Sequence, residues 1–424
     1  MEFEHPSHPG RRVVLGYCLN VLAGEDLPAL ERALEQVCAA VRERVAPDGV
    51  LGLGLYLPAS LALPLAEDRA ARRRVDLAKR LKRLGLCAFT ANAFPFGGFH
   101  RPGLKAGVFR PGWDERERAF YTAAVALIAD ELAPAGASHV SVSTHSGLHR
   151  GEPGALERVE ACGRGLGLAL VALDALRTRH GRPTVLSIEP EPRSLAGDTR
   201  ELAAVWPALI EGARAELSER GVADPEAVIA THLGLCLDTC HAAVEFEEPQ
   251  ELCARIDALG LPIGKVQVSS ALRLPDPGND DVGRARLLAM DEPVYLHQVT
   301  GRRGSELLRA QDLGDPALSS DPAWLGCDEW RCHFHVPVDA PDPLPDAGGL
   351  ATTATQGAAT LAAILADPTR WGTRDLHVEV ETYTFDVLPA AWREGGLAAS
   401  LARELEWTRA RLADAGWLAV GSGA

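Results

Sequence analysis

No CxxC pair, no basic stripe, no long uninterrupted apolar run and no glycine-rich turn after the first strand occur in this 424-residue chain. The nine cysteines are an odd number in a chain large enough to fold without covalent staples, so they read as buried small side chains and not as a disulfide framework. With a net charge of −15, the chain lacks the clustered Lys and Arg that a phosphate-backbone groove needs, and no nucleic-acid partner is expected. The segment MEFEHPSHPGRR has no apolar core of a signal peptide, and the most apolar helical stretch, 165–176, is too short to span a bilayer and contains Asp174. Reduced thiols, no leader and no membrane span predict a cytoplasmic protein.

What the chain does have is a 46% hydrophobic composition, ample for a large core, and a steady alternation of strand and helix patterns. Strands read at 13–19, 50–57, 86–94, 139–147, 184–192, 233–241, 263–270 and 376–385. The helix over 26–45 shows the logic. Asp26 caps it, Pro28 suits its first turn, and Leu30, Leu34, Val37 and Val41 form one stripe. Asp198 with Glu201 three residues on opens another helix, and 395–415 closes the chain. Eight strands alternating with helices predict an α/β fold, a (β/α)8 TIM barrel forming one domain over 1–424. A doubly wound open sheet is the alternative, but GYCLNVLAG (16–24) lacks its phosphate turn. The rhythm breaks over 271–350, which is rich in Pro, Asp, Gly and Arg and holds β-like pieces at 294–299 and 331–336. This reads as an insertion between the seventh and eighth strands, folded over the barrel mouth.

Several strands carry polar groups where a barrel core is normally apolar. In HVEVE, Val378 and Val380 face one way and His377, Glu379 and Glu381 the other; in KVQVS, Lys265 and Gln267 oppose Val266 and Val268. Glu189, Asp238, Gln267 and Glu381 fall at strand ends, where such barrels place their chemistry. Singly, each reads as a helix cap or an ion-pair partner. Together they point to a divalent metal ion (Mn, Zn, Co, Fe or Mg), because buried charges need a partner or a metal. His241, three residues after Asp238, reads as a second ligand, a proton-transfer group, or a histidine bonded to a loop carbonyl. His333 and His335 share one strand face, as imidazole donors or as an ordinary edge-strand pair. Lys265 either holds a substrate oxygen anion or neutralises the carboxylates. Asn92 and His100 flank the loop AFPFGGF, whose glycines allow close backbone approach and whose aromatics suit an apolar sugar face; a packed turn is the other reading. His145, ending the fourth strand, joins this substrate-facing set with His333 and Glu379.

The order IEPEP, then LDTCH, then a carboxylate ending the last strand resembles the xylose-isomerase-like barrels, which include ketose 3-epimerases, sugar isomerases, inosose dehydratases and endonuclease IV. Across roughly residues 90–390, NAFPFGGFH, SIEPEP, CLDTCHAAVEFE, IGKVQVSSAL, YLHQV, EWRCHFHVP and HVEVETYTFDVLP resemble the metabolite-traffic barrels of bacterial ebo clusters, the EboE family. The resemblance implies metal ligands at Glu189, Asp238 and Glu381, with Glu189 and Glu381 also moving the proton beside a carbonyl. The family's remaining ligand, a seventh-strand histidine, falls at Gln267, a neutral and weaker donor. Either Gln267 serves, or His335 or His333 from the insertion replaces the imidazole, or the activity is lost. The implied substrate is a sugar- or cyclitol-like metabolite, and the implied partners are other ebo-cluster proteins or a second copy of the chain. Three functions follow: a metal-dependent isomerase or epimerase, an endonuclease IV-like phosphoesterase, and a non-catalytic carrier.

Overall fold

The computed structural model describes residues 1–22 and 24–420. Eight parallel strands close into a barrel: β1 (Arg12–Cys18), β2 (Leu51–Tyr56), β3 (Leu86–Asn92), β4 (Val140–His145), β5 (Thr184–Glu189), β6 (Leu233–Asp238), β7 (Ile263–Val268) and β8 (Asp375–Val380). Each pairs with its neighbour in chain order, and β8 returns to β1 with Asp375 opposite Arg12 and Val380 opposite Tyr17. This is the (β/α)8 barrel, and the open sheet is excluded. A short strand, Glu2–Glu4, pairs antiparallel with β1 and with Leu418–Ala419.

Strand parity divides the core into two layers. Val378 and Val380 join the hydrophobic layer between strands and helices. The opposite parity fills the barrel interior with buried polar groups: His377 bonds Ser141 Oγ at 2.9 Å and stacks on His139 at 3.9 Å between ring centroids. Lys265 Nζ lies 2.5 Å from Glu379 Oε1, both fully buried. Glycine makes room for this pair, because a Cβ on Gly54 of β2 would overlap the Glu379 carboxylate.

The helices form largely as the sequence predicts. Asp26 Oδ1 accepts from Ala29 N, and Asp198 Oδ1 from Glu201 N at 2.7 Å. The helix over 26–45 contains a π turn, Leu34–Cys38. A helix missed from sequence, Pro225–His232, is capped by Asp224. All nine cysteines are free, and no described helix is long and apolar enough to cross a membrane.

Between β7 and β8 the chain builds a five-stranded antiparallel sheet from Ser270–Pro275, Val299–Arg303, Glu306–Ala310, Glu329–Val336 and Ala351–Thr352. It has its own apolar cluster around Leu272, Trp330 and Phe334. The β-like reading of 294–299 is corrected: 294–298 is irregular and the strand starts at Val299. Glu292 accepts the amides of Val294 and Tyr295, which holds this stretch as a turn.

Candidate metal centre

The C-terminal ends of the strands converge on a cavity that residues of the segment between β7 and β8 also line. Glu189 ends β5, Asp238 ends β6, and Glu381 directly follows β8. Each offers a carboxylate oxygen, and the three oxygens lie within 4.8 Å of one another. Their surroundings differ. Asp238 Oδ1 caps the short helix Thr239–Val244, accepting the amides of Cys240 (2.7 Å) and His241 (3.1 Å), and takes a hydrogen bond from Ser269 Oγ (2.5 Å). Glu381 Oε1 accepts from Asn20 Nδ2 (2.5 Å) and Asn92 Nδ2 (3.1 Å). Glu189 Oε2 and Asp238 Oδ2 are buried with no hydrogen-bond partner.

Electrostatics sharpen the picture. Burial, then the neighbouring Glu191 and Asp238, push the Glu189 carboxyl well above its ordinary range. Burial, then Glu189 and Asp238, do the same to Glu381. Burial also raises Asp238, but His241, His335 and its hydrogen bonds outweigh it and leave this carboxyl lowered. Unpartnered carboxylate oxygens crowded in a dry site are the condition a divalent cation relieves, so the donor set fits a metal ion.

Three imidazoles stand beside the carboxylates. His241 comes from the capped helix, and His333 and His335 from the insertion strand Glu329–Val336. Asp238, His241 and His335 form one group of donors within 4.8 Å; Glu191, His241 and His333 form another. Burial lowers His241 to about 4, with Asp238 opposing. Burial also lowers His333 and His335.

The remaining candidates separate. Asn92 lines the cavity and orients Glu381, while its Oδ1 accepts from Phe94 N. Phe94, Pro95 and Phe99 of the glycine-containing loop line it too. His100 does not line it but bridges Asn20 O and Tyr295 Oη, each at 2.6 Å, and so braces the residue that holds Glu381. His145 packs against Phe94 and Phe109, its Nδ1 taking the Gly147 amide. Lys265 and Glu379 neutralise each other away from the cavity lining, with Lys265 also bonded to Ala91 O and Ser143 Oγ. Burial pulls the Lys265 ammonium down, but Glu379 outweighs it and holds it above its usual value. Gln267 is fully buried, and its Oε1 accepts from Cys236 Sγ at 2.8 Å. Among the cavity-lining residues that escaped the sequence reading are Glu191, Asn20, Gln298 and Tyr383. Alternation in SIEPEP puts Glu191 on the same side as Glu189, which was the available signal for it.

No protein-family model and no curated protein matches this sequence. Solved structures similar to it include an L-ribulose 3-epimerase, at 14% identity over 95% of each chain with a TM-score of 0.45. An IolI protein with a bound zinc atom is similar at 12% identity over 95% of this chain and 98% of that one, TM-score 0.43. A family 2 AP endonuclease from Brucella melitensis is similar at 17% identity over 61% and 79%, TM-score 0.33.

Proposed function

We propose that this protein is a metal-dependent isomerase or epimerase acting on a small polyhydroxylated metabolite of sugar or cyclitol type. The observation that carries the reading is the convergence of Glu189, Asp238 and Glu381, with two buried oxygens left unpartnered. These three carboxylates would hold the ion, which when bound polarises a substrate carbonyl and the hydroxyl beside it. Asp238, pinned by two amides and Ser269, is a positional ligand. Glu189 and Glu381, whose carboxyls burial and neighbouring carboxylates push well above the ordinary range, suit proton transfer at the intervening carbon. One removes the proton, and the other, or His241, returns it. Asn20 and Asn92 keep Glu381 aimed at the cavity. Phe94, Phe99 and Tyr383 offer the apolar wall that a sugar's C–H face needs.

We extend this to one barrel domain over 1–424, with the insertion as part of its mouth, and to an EboE-like role in processing or moving a secondary metabolite. What supports the first is that the insertion strand brings His333 and His335 beside Asp238 and His241; what supports the second is the set of motifs quoted above. A carrier without catalysis is the second reading, favoured by Gln267, whose amide oxygen is engaged by a thiol.

The test is proton exchange. The metal-loaded protein is incubated in deuterated water with a panel of ketoses and inososes, and loss of the C–H signal beside the carbonyl is followed by NMR. Glu381→Gln should slow exchange by about 10²–10⁴-fold. Binding without exchange for every compound would establish the carrier instead.

A further inference from the structure

One wall of the cavity is made by two segments that hydrogen-bond to each other. The first is the strap 100–107, which follows β3. The second is 291–298, in the chain between β7 and β8. Leu104 and Lys105 line the cavity from the strap, and Val294, Tyr295 and Leu296 line it from the other side. The free volume inside is about 40 Å³, room for a few waters at roughly 10–15 Å³ each. A sugar-sized ring enters only if part of this wall moves.

The two segments are held unequally. Segment 291–298 is tied to its own surroundings. Glu292 accepts the amides of Val294 (2.7 Å) and Tyr295 (2.8 Å), and Asp312 Oδ1 accepts that of His297 (2.9 Å). The strap is pinned just beyond its ends, where Phe99 packs on Tyr383 at 4.7 Å and Phe109 on Phe94 at 5.2 Å between ring centroids. Between those rings no residue from 100 to 107 is buried. A Cβ on Gly103 would touch nothing, and one on Gly107 only Leu104 of the strap itself, at 3.7 Å. What holds the strap down is the other segment. Gly103 N donates to Pro293 O (2.6 Å) and Lys105 N to Val294 O (3.2 Å). Lys105 Nζ lies 2.8 Å from Asp312 Oδ2 and 3.4 Å from Asp291 Oδ1. Lys105 makes these contacts at a φ of 40°, in the left-handed region that strains any residue with a Cβ. Backbone strain thus opposes closure, and the hydrogen bonds and ion pairs of the seam favour it.

His100 connects the strap to the carboxylates. Its Nε2 faces Asn20 O at 2.6 Å, an oxygen that only accepts, so this nitrogen carries the hydrogen and Nδ1 accepts from Tyr295 Oη, also at 2.6 Å. Asn20 Nδ2 in turn donates to Glu381 Oε1 at 2.5 Å. We infer that 100–107 is a lid: it opens along its seam with 291–298 to admit substrate, Lys105 is its latch, and its closure seats Asn20 and, through Asn20, Glu381. Closure of this kind expels water and completes the reacting geometry in one movement. That the seam admits substrate rests on the cavity being the active site; the opening itself does not.

Amide hydrogen exchange of the full chain reads the opening without metal or substrate. In Lys105→Met, which keeps the stem and removes the charge, the amides of Gly103 and Lys105 should exchange about 2–5-fold faster, the worth of a partly exposed ion pair. Asp291→Asn should act in the same direction and less. Sodium chloride at about 1 M, where screening is nearly complete, should speed these amides in wild type and not in Lys105→Met. The amides of Val294 and Tyr295, held by Glu292, should keep their rates. Unchanged rates at Gly103 and Lys105 would overturn the lid, and so would equal increases on both segments, which would mean that the inserted chain opens as a whole. Access is read with diethyl pyrocarbonate in chelator, so that no bound ion shields a ring, with the modified histidines mapped by mass spectrometry. His333, in the cavity wall, should react faster in Lys105→Met by the same factor as the amides, and His8, at the opposite end of the barrel, at its wild-type rate. Faster amides with an unchanged His333 rate would refute the seam as the entrance. Faster amides and faster His333, in a protein that exchanges no C–H beside a carbonyl, would keep the lid and refute the isomerase reading.

Discussion

At the residue scale, the candidate site is a set of charges that repel until something positive sits among them. Glu189→Gln replaces a carboxylate of raised pKa by a neutral amide of the same shape. It should lower metal occupancy while leaving the chelated protein as stable as wild type or more so, read by metal analysis and thermal melts in chelator. Lys265→Met should behave oppositely, because it strands Glu379 in a dry interior. A loss of about 3–5 kcal/mol is expected from denaturant titration, with Lys265→Met/Glu379→Gln regaining part of it. Glu189, Asp238 and Glu381 were legible because each sits at a strand end and alternation assigns its face. Lys265 and Glu379 have the correct face too, but period-two patterning gives no height along the barrel axis, so a deep structural pair looked like a site pair. Gln298 was illegible because its role depends on a turn that brings it over His333, and no local pattern encodes that contact.

At the element scale, the closing helix Leu397–Asp414 packs Leu401, Leu405 and Leu412 into the main core and adds one buried carboxyl that bonds the barrel. Glu404 accepts from Thr382 Oγ1 (2.6 Å), Tyr17 Oη (3.2 Å) and Val338 N (3.3 Å), and burial raises it to about 8. Its folded pKa exceeds the unfolded value near 4.5, so between those limits the folded state binds more protons and stability falls as pH rises. The slope is at most about 1.4 kcal/mol per pH unit. Glu404→Gln should flatten it between pH 5 and 8 in chemical denaturation. All eight barrel strands were readable from sequence because each is a compact apolar run ending in polar residues. The helix Pro225–His232 was not, since eight residues carry too few turns to show a period. Strand limits within the insertion were not readable either, since a strand such as Glu306–Ala310, half exposed, owes its form to its partner across the hairpin.

At the scale of the whole molecule, the donors come from β5, β6, the segment after β8 and the inserted sheet, so an ion bound there ties together distant parts of the chain. Binding to the folded state alone stabilises it by about 4 kcal/mol when free ion exceeds its dissociation constant a thousandfold. Chelation should therefore lower the melting temperature, and readdition of ion should restore it. Retention of duplex DNA at low salt is not expected from a surface of net charge −15. Salt-sensitive DNA binding would favour a phosphoesterase.

The barrel's closing seam also sets a clock. Arg12 of β1 bonds Asp375 of β8 across 363 residues. At about 5–20 residues per second of synthesis, the first strand waits roughly 20–70 s for its partner. The small strand Glu2–Glu4 does not shield it meanwhile. It pairs with Arg12–Val14 on the side where β2 joins only from Gly16 onward, leaving the other edge bare. A nascent chain thus carries an open strand edge until β8 has been made. Whether that edge is taken by its own eighth strand or by a neighbouring polypeptide is open until Asp375–Val380 has been made.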